Sequence, residues 1–371
     1  MSDRETLDFL ATVPFLEGAD EADLVELAQV MRRRTVREGE ILWRQGDDAR
    51  EMVFIVEGGI SASLHVPGDR VVEIARAGAG EMVGEIALLD GGPHAMSVRV
   101  TDRATVLALG RQDFAALLAR PHPWAFSLKR RLASLVTARL RNQLRHLAVS
   151  LGDEMGGSSA EDAARAFAQL EYCGPPNGRY IQRMATFNDF DPVALWGFLT
   201  SGSYARCPSG RTLLAEGAPS TACYLTINGA VEKVLVRGDR RIRVGLAGPG
   251  KAFGYESLID GRPSPVTAIT RERALLLVLP RDPFEQLFNG EDAISRVFLD
   301  VIQRDIVGTL RQTLRPLARE ASARSVSPAP PSAPLQPAAD RPEAPWSPSP
   351  ITPRVSDGRE PVERSPLGSE T

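Results

Sequence analysis

The chain has 371 residues, of which 43% are hydrophobic and 25% charged, and its formal net charge is -3. This length suggests two or three folded units of about 150 residues, with enough apolar side chains for sizeable cores. The charge excludes a globally basic nucleic-acid coat, and the three cysteines, which lack CxxC spacing, argue against disulfide scaffolds, zinc ribbons and cysteine-ligated iron–sulfur clusters.

The N-terminal residues are polar and acidic, which is not typical of a signal peptide, and no apolar run approaches the ~20 residues of a membrane helix. We therefore expect a cytoplasmic chain without a membrane partner. A helical segment is predicted from Asp20 to Met31, followed by short Val-, Ile- and Leu-rich strands separated by Gly and Asp turns. The sequence Val66-Pro-Gly-Asp-Arg lies between two apolar runs, as hairpin connections do. This pattern favours a closed or rolled antiparallel sheet.

A long helix is predicted to close this first region. The segment from Phe126 to Leu151 contains no Gly or Pro, and its leucines recur every three to five positions to form one apolar stripe. It also carries a run of basic side chains without an acidic one: Lys129, Arg130, Arg131, Arg139, Arg141 and Arg145. Such a face is typical of a solvated helix surface or the flank of a dimer seam, and it also permits an acidic partner. The apolar stripe permits a homodimer.

Three glycine-marked corners of the first region recur in the second half of the chain in the same order. The matching segments are 38–46 and 209–217, 54–58 and 225–229, and 77–80 and 247–250. The first two pairs of segments have the same separation along the chain, and the separation of the third pair is one residue shorter. This register indicates two copies of one fold. The second copy also begins with a helical segment, Asp191 to Leu199, and ends with another from Asp292 to about Leu317.

The end of the chain differs from the rest. From Ala318 to Thr371 it contains twelve of the 28 prolines and almost no Ile, Val or Phe, so we predict a disordered tail. Such a tail either binds a partner that recognises polyproline or is a solvated segment without one. The predicted organisation is a first domain at 1–151, a linker with a short helix at 152–174, a second domain at 175–317 and the tail at 318–371.

One motif lies between the last two predicted strands of the first copy, Gly84-Glu-Ile-Ala-Leu-Leu-Asp-Gly-Gly-Pro-His-Ala-Met-Ser-Val98. It resembles the phosphate-binding cassette of cyclic nucleotide-binding domains, in which F-G-E-L-A-L precedes a short loop and P-R-A-A-T-V. The resemblance covers roughly residues 10–150 and recurs, more weakly, over about 175–317. It implies a mainly β protein with flanking helices. The two tandem domains would be eight-stranded, jelly-roll-like β-rolls, each closed by a C-terminal helix.

A cyclic phosphodiester needs backbone N–H donors and a cation, and a ribose hydroxyl needs an acceptor. The resemblance implies that Glu85 binds the ribose, that Gly84 allows close approach, and that a hydroxyl at Ser97 favours cGMP. The candidate ligand-binding residues are Gly84, Glu85, Ile86, Ala87, His94, Ala95, Met96 and Ser97. His94 stands where the family has arginine, which we expect to weaken binding roughly ten- to a hundred-fold, although a bound phosphate would favour the protonated imidazole.

The second cassette, Phe253 to Thr267, aligns with the first without gaps but departs further from the family pattern. Tyr255 falls on the glutamate position and Ser264 on the arginine position, and Pro265 removes a backbone donor. Its candidate residues, a degenerate pocket, are Gly254, Tyr255, Glu256, Arg262, Ser264 and Thr267. Glu256 and Arg262 are displaced by one or two places and substitute only if the loop changes its course. We expect this pocket to have lost ordinary cyclic-nucleotide binding; a different ligand, or none, remains open.

No catalytic or metal-binding constellation and no helix-turn-helix is recognisable, so we expect neither an enzyme nor a sequence-specific DNA-binding protein. The favoured interpretation is a regulatory sensor that binds cAMP or cGMP in the first roll and needs no other cofactor. Ligand would draw the helix at 126–151 onto the roll, and the output would reach a partner protein through the closing helices or the tail. Two alternatives stay open: an interaction scaffold with degenerate pockets, and a sensor for a different small anionic effector.

Overall fold

The computed structural model describes residues 3–66, 70–151, 170–177, 184, 187–237 and 240–324, all within one compact unit. The predicted hairpin connections at 67–69 and 238–239, the joint that follows Leu151 and most of the tail lie outside the described residues. No helix in the described ranges combines the length and the low polarity needed to cross a bilayer.

The first roll is preceded by two helices and contains six antiparallel strands. The helices are α1 (Asp3–Thr12) and α2 (Glu21–Val30), and Asp20 begins the second by accepting a hydrogen bond from Asp23 N at 2.7 Å. The strands are β1 (Arg32–Val36), β2 (Ile41–Trp43), β3 (Glu51–Val66), β4 (Arg70–Ala77), β5 (Met82–Val83) and β6 (Ser97–Gly110). They pair in the order β1-β6-β3-β4, with β2 on β6 and β5 on β3. The remaining helices are α3 (Glu85–Asp90), α4 (Arg111–Ala119) and α5 (Pro123–Leu151).

The second roll repeats this plan after an edge strand, β7 (Glu171–Cys173), and helix α6 (Pro192–Leu199). Its strands are β8 (Ser203–Cys207), β9 (Thr212–Leu214), β10 (Ala222–Asn228), β11 (Val231–Arg237), β12 (Arg240–Ala247), β13 (Ala252–Phe253), β14 (Thr267–Thr270) and β15 (Ala274–Pro280). Its other helices are α7 (Glu256–Asp260), α8 (Arg281–Asn289) and α9 (Ala293–Arg324). The sheets pair as β13-β10-β15-β8-β7 and β12-β11-β14-β9. Strand β3 corresponds to β10 with β11, and β6 to β14 with β15, so the prediction of two eight-stranded rolls is confirmed.

Two of the predicted boundaries differ from the observed elements. Strand β7 lies within the predicted linker, but it pairs with β8 and therefore extends a sheet of the second roll. Helix α9 continues to Arg324, so residues 318–324 of the predicted tail are helical. Sequence composition marks the start of the proline-rich region only to within two helical turns, because the residues from Ala318 to Arg324 are good helix formers.

The repeat is also visible in the backbone. Among the described residues, twelve of the 13 glycines with positive φ form six pairs at the spacing of the repeat. At Gly58 and Gly229 a Cβ atom would lie 2.5 Å from the carbonyl oxygen of Arg103 and Arg273, respectively. Only glycine fits these two corners, which explains why the sequence repeat is clearest there.

The closing helices α5 and α9 pack along each other in parallel. Lys129 Nζ is paired with Asp300 near one end, and Gln143 Oε1 accepts a hydrogen bond from Thr313 Oγ1 at 2.6 Å near the other. Each pair joins positions that are nearly equivalent in the repeat, as in the interface of a two-fold symmetric dimer. The largest apolar cluster lies here and includes Leu140 and Leu144 of α5 and Ile306 and Leu310 of α9.

This packing corrects two expectations about α5. Its apolar stripe is buried within the same chain, from Leu140 onward with α9 and at Leu128 and Leu132 with the first roll, so it does not offer the homodimer seam that the sequence permitted. Its basic face is not simply solvated, because the acidic partners belong to the same chain. The ion pairs are Lys129–Asp300, Arg130–Glu291, Arg131–Glu17, Arg139–Glu85 and Arg141–Asp260.

Candidate functional site: two cassettes

The first cassette begins where β5 turns into α3. Gly84 adopts φ 95°, and a Cβ there would lie 3.0 Å from the Trp43 ring and 3.1 Å from Met52 Cα. A side chain at this position would therefore collide with β2 and β3. The predicted role of Gly84, close approach of the backbone to a ligand, stays a prediction; the observed approach is to the roll's own strands.

Glu85, the first residue of α3, is fully buried. Its Oε1 accepts a hydrogen bond from Arg139 Nη1 on α5, and Arg139 Nη2 donates to the carbonyl oxygen of Met82. Its Oε2 is buried without a hydrogen-bond partner in the described part of the chain. Buried carboxylate oxygens nearly always accept a hydrogen bond. An oxygen such as Glu85 Oε2, which has no donor within the described chain, can therefore accept one from a hydroxyl group.

His94 occupies the position of the family's arginine, and its environment opposes a positive charge. The imidazole stacks on Trp43 with ring centroids 4.3 Å apart. Burial lowers the pKa of His94 to about 4, and Arg311 and Arg111 add to this effect while Asp47 opposes it. The ring is therefore neutral near pH 7 in the protein without ligand, and protonation beside a bound phosphate stays a prediction.

The imidazole also lines a cavity of about 440 Å³ outside the cassette proper. The other lining residues belong to β2, to the loop that follows it and to the start of β3: Leu42, Trp43, Asp47, Asp48, Arg50 and Glu51. Because carboxylates outnumber the single arginine here, this cavity is not a natural place for a phosphate.

The remaining first-cassette residues divide between packing and backbone roles. Ala87 is buried in the core beneath α3, and Ile86, Ala95 and Met96 are half-buried against the cluster of the closing helices. Neither Ala95 nor Met96 donates its backbone N–H to another group of the described chain, which leaves both available to a ligand. Ser97 Oγ accepts a hydrogen bond from Gln45 N at 2.9 Å, so its hydroxyl holds the loop after β2.

The second cassette has the same backbone. Ser264 N donates to Ala218 O at 2.8 Å and Ser264 O accepts from Gly217 N at 2.9 Å, as His94 does with Asp47 and Gly46. Thr267 Oγ1 accepts from Glu216 N at 3.1 Å, which repeats the contact of Ser97. Gly254 has φ 83°, close to that of its equivalent Gly84.

The buried polar side chains beside the second cassette, by contrast, satisfy one another. Tyr255 is fully buried and its hydroxyl donates to Asp305 Oδ2 on α9 at 2.7 Å. Lys233 Nζ donates to Thr309 Oγ1 at 2.6 Å and lies 3.7 Å from Asp305 Oδ2. Burial raises the pKa of Tyr255 well above its ordinary value, so the phenol stays neutral and does not offer ribose the charged acceptor that a carboxylate would.

Glu256 and Arg262 do not rebuild a ligand site together. Glu256 is buried, and burial raises its pKa, partly offset by Lys233. Arg262 is exposed on the loop, where its N–H donates to Asp260 Oδ1 at 3.0 Å. Ser264 Oγ donates to Val266 O at 2.8 Å, so this hydroxyl is used within the loop.

Sequence reasoning missed the residues that the closing helices contribute to both pockets. It places Arg139 in a basic stripe and does not connect it to Glu85, and it does not single out Asp305 or Thr309 on α9. It also misses Lys233, which lies on β11. One signal was available: the spacing from Arg139 to Thr309 equals that from Glu85 to Tyr255, so the repeat itself pairs these positions.

The comparisons with known proteins agree with this geometry. The sequence profile of the family described as the cyclic nucleotide-binding domain matches residues 33–121 and 205–291. A cyclic nucleotide-gated potassium channel of Rhizobium etli is 33% identical over 108 residues, 29% of this chain and 29% of the channel. The cAMP-dependent protein kinase type II regulatory subunit of Drosophila melanogaster is 35% identical over 101 residues, 27% of this chain and 26% of the subunit.

The cyclic AMP receptor protein of Thermus thermophilus is 31% identical over 128 residues, 34% of this chain and 57% of that protein. The chain therefore spans less than a third of the channel and the kinase subunit and just over half of the receptor protein. Among solved structures, the regulatory domain of Toxoplasma gondii PKA with cAMP matches with a TM-score of 0.30 and 16% identity over 80% of this chain and 94% of that one. That low score supports no closer comparison. The two matched segments coincide with the two rolls and include their cassettes, so the chain carries two tandem regions that match the cyclic nucleotide-binding domain.

Proposed function

We propose that the first roll binds a cyclic nucleotide, cAMP or cGMP, and that the protein is a non-enzymatic regulatory sensor. One observation carries the proposal: Glu85 is fully buried at the ribose-binding position, with one oxygen held by Arg139 and the other without a partner in the described chain. The N–H groups of Ala95 and Met96, which have no acceptor among the described residues, supply donors for the phosphate.

The second roll is proposed to act without a nucleotide. Tyr255, Lys233 and Asp305 already satisfy one another in the space that a ligand would need. Its contribution is then to receive the signal through α9, which packs along α5. Because Arg139 already joins α5 to the first cassette, ligand would act by changing this contact and not by drawing a detached helix onto the roll. The output to a partner protein, through the closing helices or the tail, belongs to the same proposal.

A second candidate function is favoured by His94. A neutral imidazole stacked on Trp43 leaves the phosphate position without the family's cation. Such a pocket suits a different small effector, or no effector at all in a protein that serves as an interaction scaffold.

Isothermal titration of the full chain with cAMP and with cGMP, at pH 6 and pH 8, tests the proposal. We expect micromolar binding of one equivalent, and a loss of about a hundredfold in Glu85→Gln, because an amide oxygen is a weaker acceptor and the charge beside Arg139 is removed. Tyr255→Phe is the matched control at the equivalent position of the second roll, and it should bind as the wild type does. Absence of heat with millimolar nucleotide would remove the receptor function and favour the scaffold.

A further inference from the structure

Each closing helix contacts the cassette loop of the opposite roll through one arginine. Arg311, on α9 of the second roll, donates to Asp90 Oδ1 at 2.9 Å and to Pro93 O at 2.8 Å in the first cassette. Arg141, on α5 of the first roll, donates to Asp260 Oδ1 at 2.8 Å and to Pro263 O at 2.7 Å in the second.

The two contacts are copies of each other. The repeat relates three pairs of residues at one identical spacing along the chain: Arg141 and Arg311, Asp90 and Asp260, and Pro93 and Pro263. The aspartates also repeat a second hydrogen bond, since each accepts the N–H two residues further along the loop, from Gly92 at 2.9 Å and from Arg262 at 3.0 Å. The same geometry thus occurs on both sides of the pseudo-symmetric helix pair.

These contacts differ from ordinary surface ion pairs, which contribute little because they fix only two mobile side chains. Here each guanidinium bonds to a carboxylate and to a main-chain carbonyl, and the carboxylate in turn fixes a main-chain N–H. A planar guanidinium can hold such a set of acceptors in one orientation. The contact therefore determines the course of the loop from Asp90 to Pro93, which leads directly into His94, Ala95 and Met96.

We infer that Arg311 is a positioning residue for the ligand site of the first roll, supplied by the second roll, so that the first cassette is complete only when α9 is packed against it. The inference rests on the proposed function for its effect on affinity, but the positioning of the loop stands on the contacts alone. Ligand and α9 are coupled through the same loop, and this gives the second roll, which lacks a competent pocket, a direct part in nucleotide binding.

Two variants of the full chain test this, Arg311→Met and its matched control Arg141→Met. Both keep an unbranched apolar side chain in place of the arginine stem and remove the guanidinium, and both are expected to lower the melting temperature slightly. Hydrogen exchange should increase in residues 90–96 only for Arg311→Met and in residues 260–266 only for Arg141→Met. Affinity for cAMP or cGMP, measured by isothermal titration, should fall about tenfold in Arg311→Met and stay within about twofold of wild type in Arg141→Met.

A charge exchange separates positioning from general stability. The double variant Asp90→Arg with Arg311→Asp should recover part of the affinity and protection lost in Arg311→Asp alone, which a merely structural loss would not do. Unchanged exchange at 90–96 in Arg311→Met, or an equal loss of affinity in both methionine variants, would overturn the inference. If the wild type takes up no nucleotide, the proposed function fails, and the exchange data still decide whether Arg311 positions the loop.

Discussion

The two cassettes of this chain share one backbone and differ in what their side chains leave unsatisfied. In the first, Glu85 faces Arg139 and keeps an oxygen without a partner in the described chain; at the equivalent positions of the second, Tyr255 and Thr309 belong to a closed polar network. The main-chain hydrogen bonds of the loops are the same in both. The two rolls thus share one scaffold, and they differ in a few buried side chains inside it.

The difference also shows how the buried polar groups of the second roll are stabilised. A polar group that is buried without a partner costs free energy. In the second roll Lys233 and Asp305 supply buried charges of opposite sign close to Tyr255, and Tyr255 and Thr309 complete their hydrogen bonds. In the first roll, by contrast, Glu85 Oε2 has no hydrogen-bond partner among the residues that the structure describes.

The largest loss of stability is expected from breaking the polar network of Lys233, Asp305, Tyr255 and Thr309. Lys233→Met leaves Asp305 and Glu256 buried without their nearest cation, and removing one partner of a buried pair costs about 3–5 kcal/mol. Urea unfolding of the full chain at pH 7 measures this loss. Arg139→Met in the first roll should cost less, because the Arg139 side chain is 30% exposed and the solvent partly replaces it.

A paired variant serves as the control. Lys233→Met together with Asp305→Leu replaces both charges by apolar groups and should recover part of the lost stability, since a buried ion pair is not itself strongly stabilising. The recovery is incomplete because the buried Tyr255 hydroxyl loses its acceptor. If Lys233→Met alone lowers the free energy of unfolding by less than about 1 kcal/mol, the network is not the element that closes the second pocket.

The next prediction concerns affinity for the nucleotide. It uses a substitution that restores the family's arginine in the first roll. His94→Arg should strengthen cyclic-nucleotide binding by roughly ten- to a hundred-fold, through charge-assisted hydrogen bonds to the phosphate. The equivalent change in the second roll, Ser264→Arg, should create no second site, because Tyr255 offers no carboxylate and Pro265 offers no N–H. A second equivalent of nucleotide bound by Ser264→Arg would contradict this account of the two pockets.

Much of the fold was predictable from the sequence, and the repeat is the reason. Glycines that must adopt positive φ, such as Gly58 and Gly229, cannot be replaced without a collision, so they mark the corners of both rolls in the sequence. The cassette positions followed from the same register. The contributions of α5 and α9 did not, because a helix periodicity shows which face is apolar and not which element covers it.

The pH dependence of stability provides a smaller effect with a definite sign. The pKa of His94 is lowered to about 4 in the folded chain, so the unfolded chain binds the proton more readily. The contribution of His94 to the free energy of unfolding is therefore intact above its unfolded pKa of about 6.5 and is lost as the pH falls towards 4. His94→Asn should flatten this part of the profile in urea unfolding between pH 7.5 and 5, and an unchanged slope would show that the imidazole titrates normally.

The same pKa revises the expectation for binding. A neutral His94 at both pH 6 and pH 8 predicts that the affinity for cyclic nucleotide changes little between them, whereas an imidazole that supplied the charge would weaken binding at pH 8. The two titrations proposed for the wild type already contain this comparison.

The smallest change in stability is expected at a contact that is the same in both rolls. Ser97 and Thr267 each accept a hydrogen bond from a main-chain N–H of the loop after the second strand of their roll, from Gln45 and Glu216. Ser97→Ala and Thr267→Ala should each lower the free energy of unfolding by about 1 kcal/mol, because a half-buried N–H loses its acceptor. If Ser97 serves the loop and not the purine, Ser97→Ala should also leave the ratio of cAMP to cGMP affinity unchanged. A shift of that ratio would instead assign the hydroxyl to base recognition in the first roll alone, and the two rolls would then differ at this position as well.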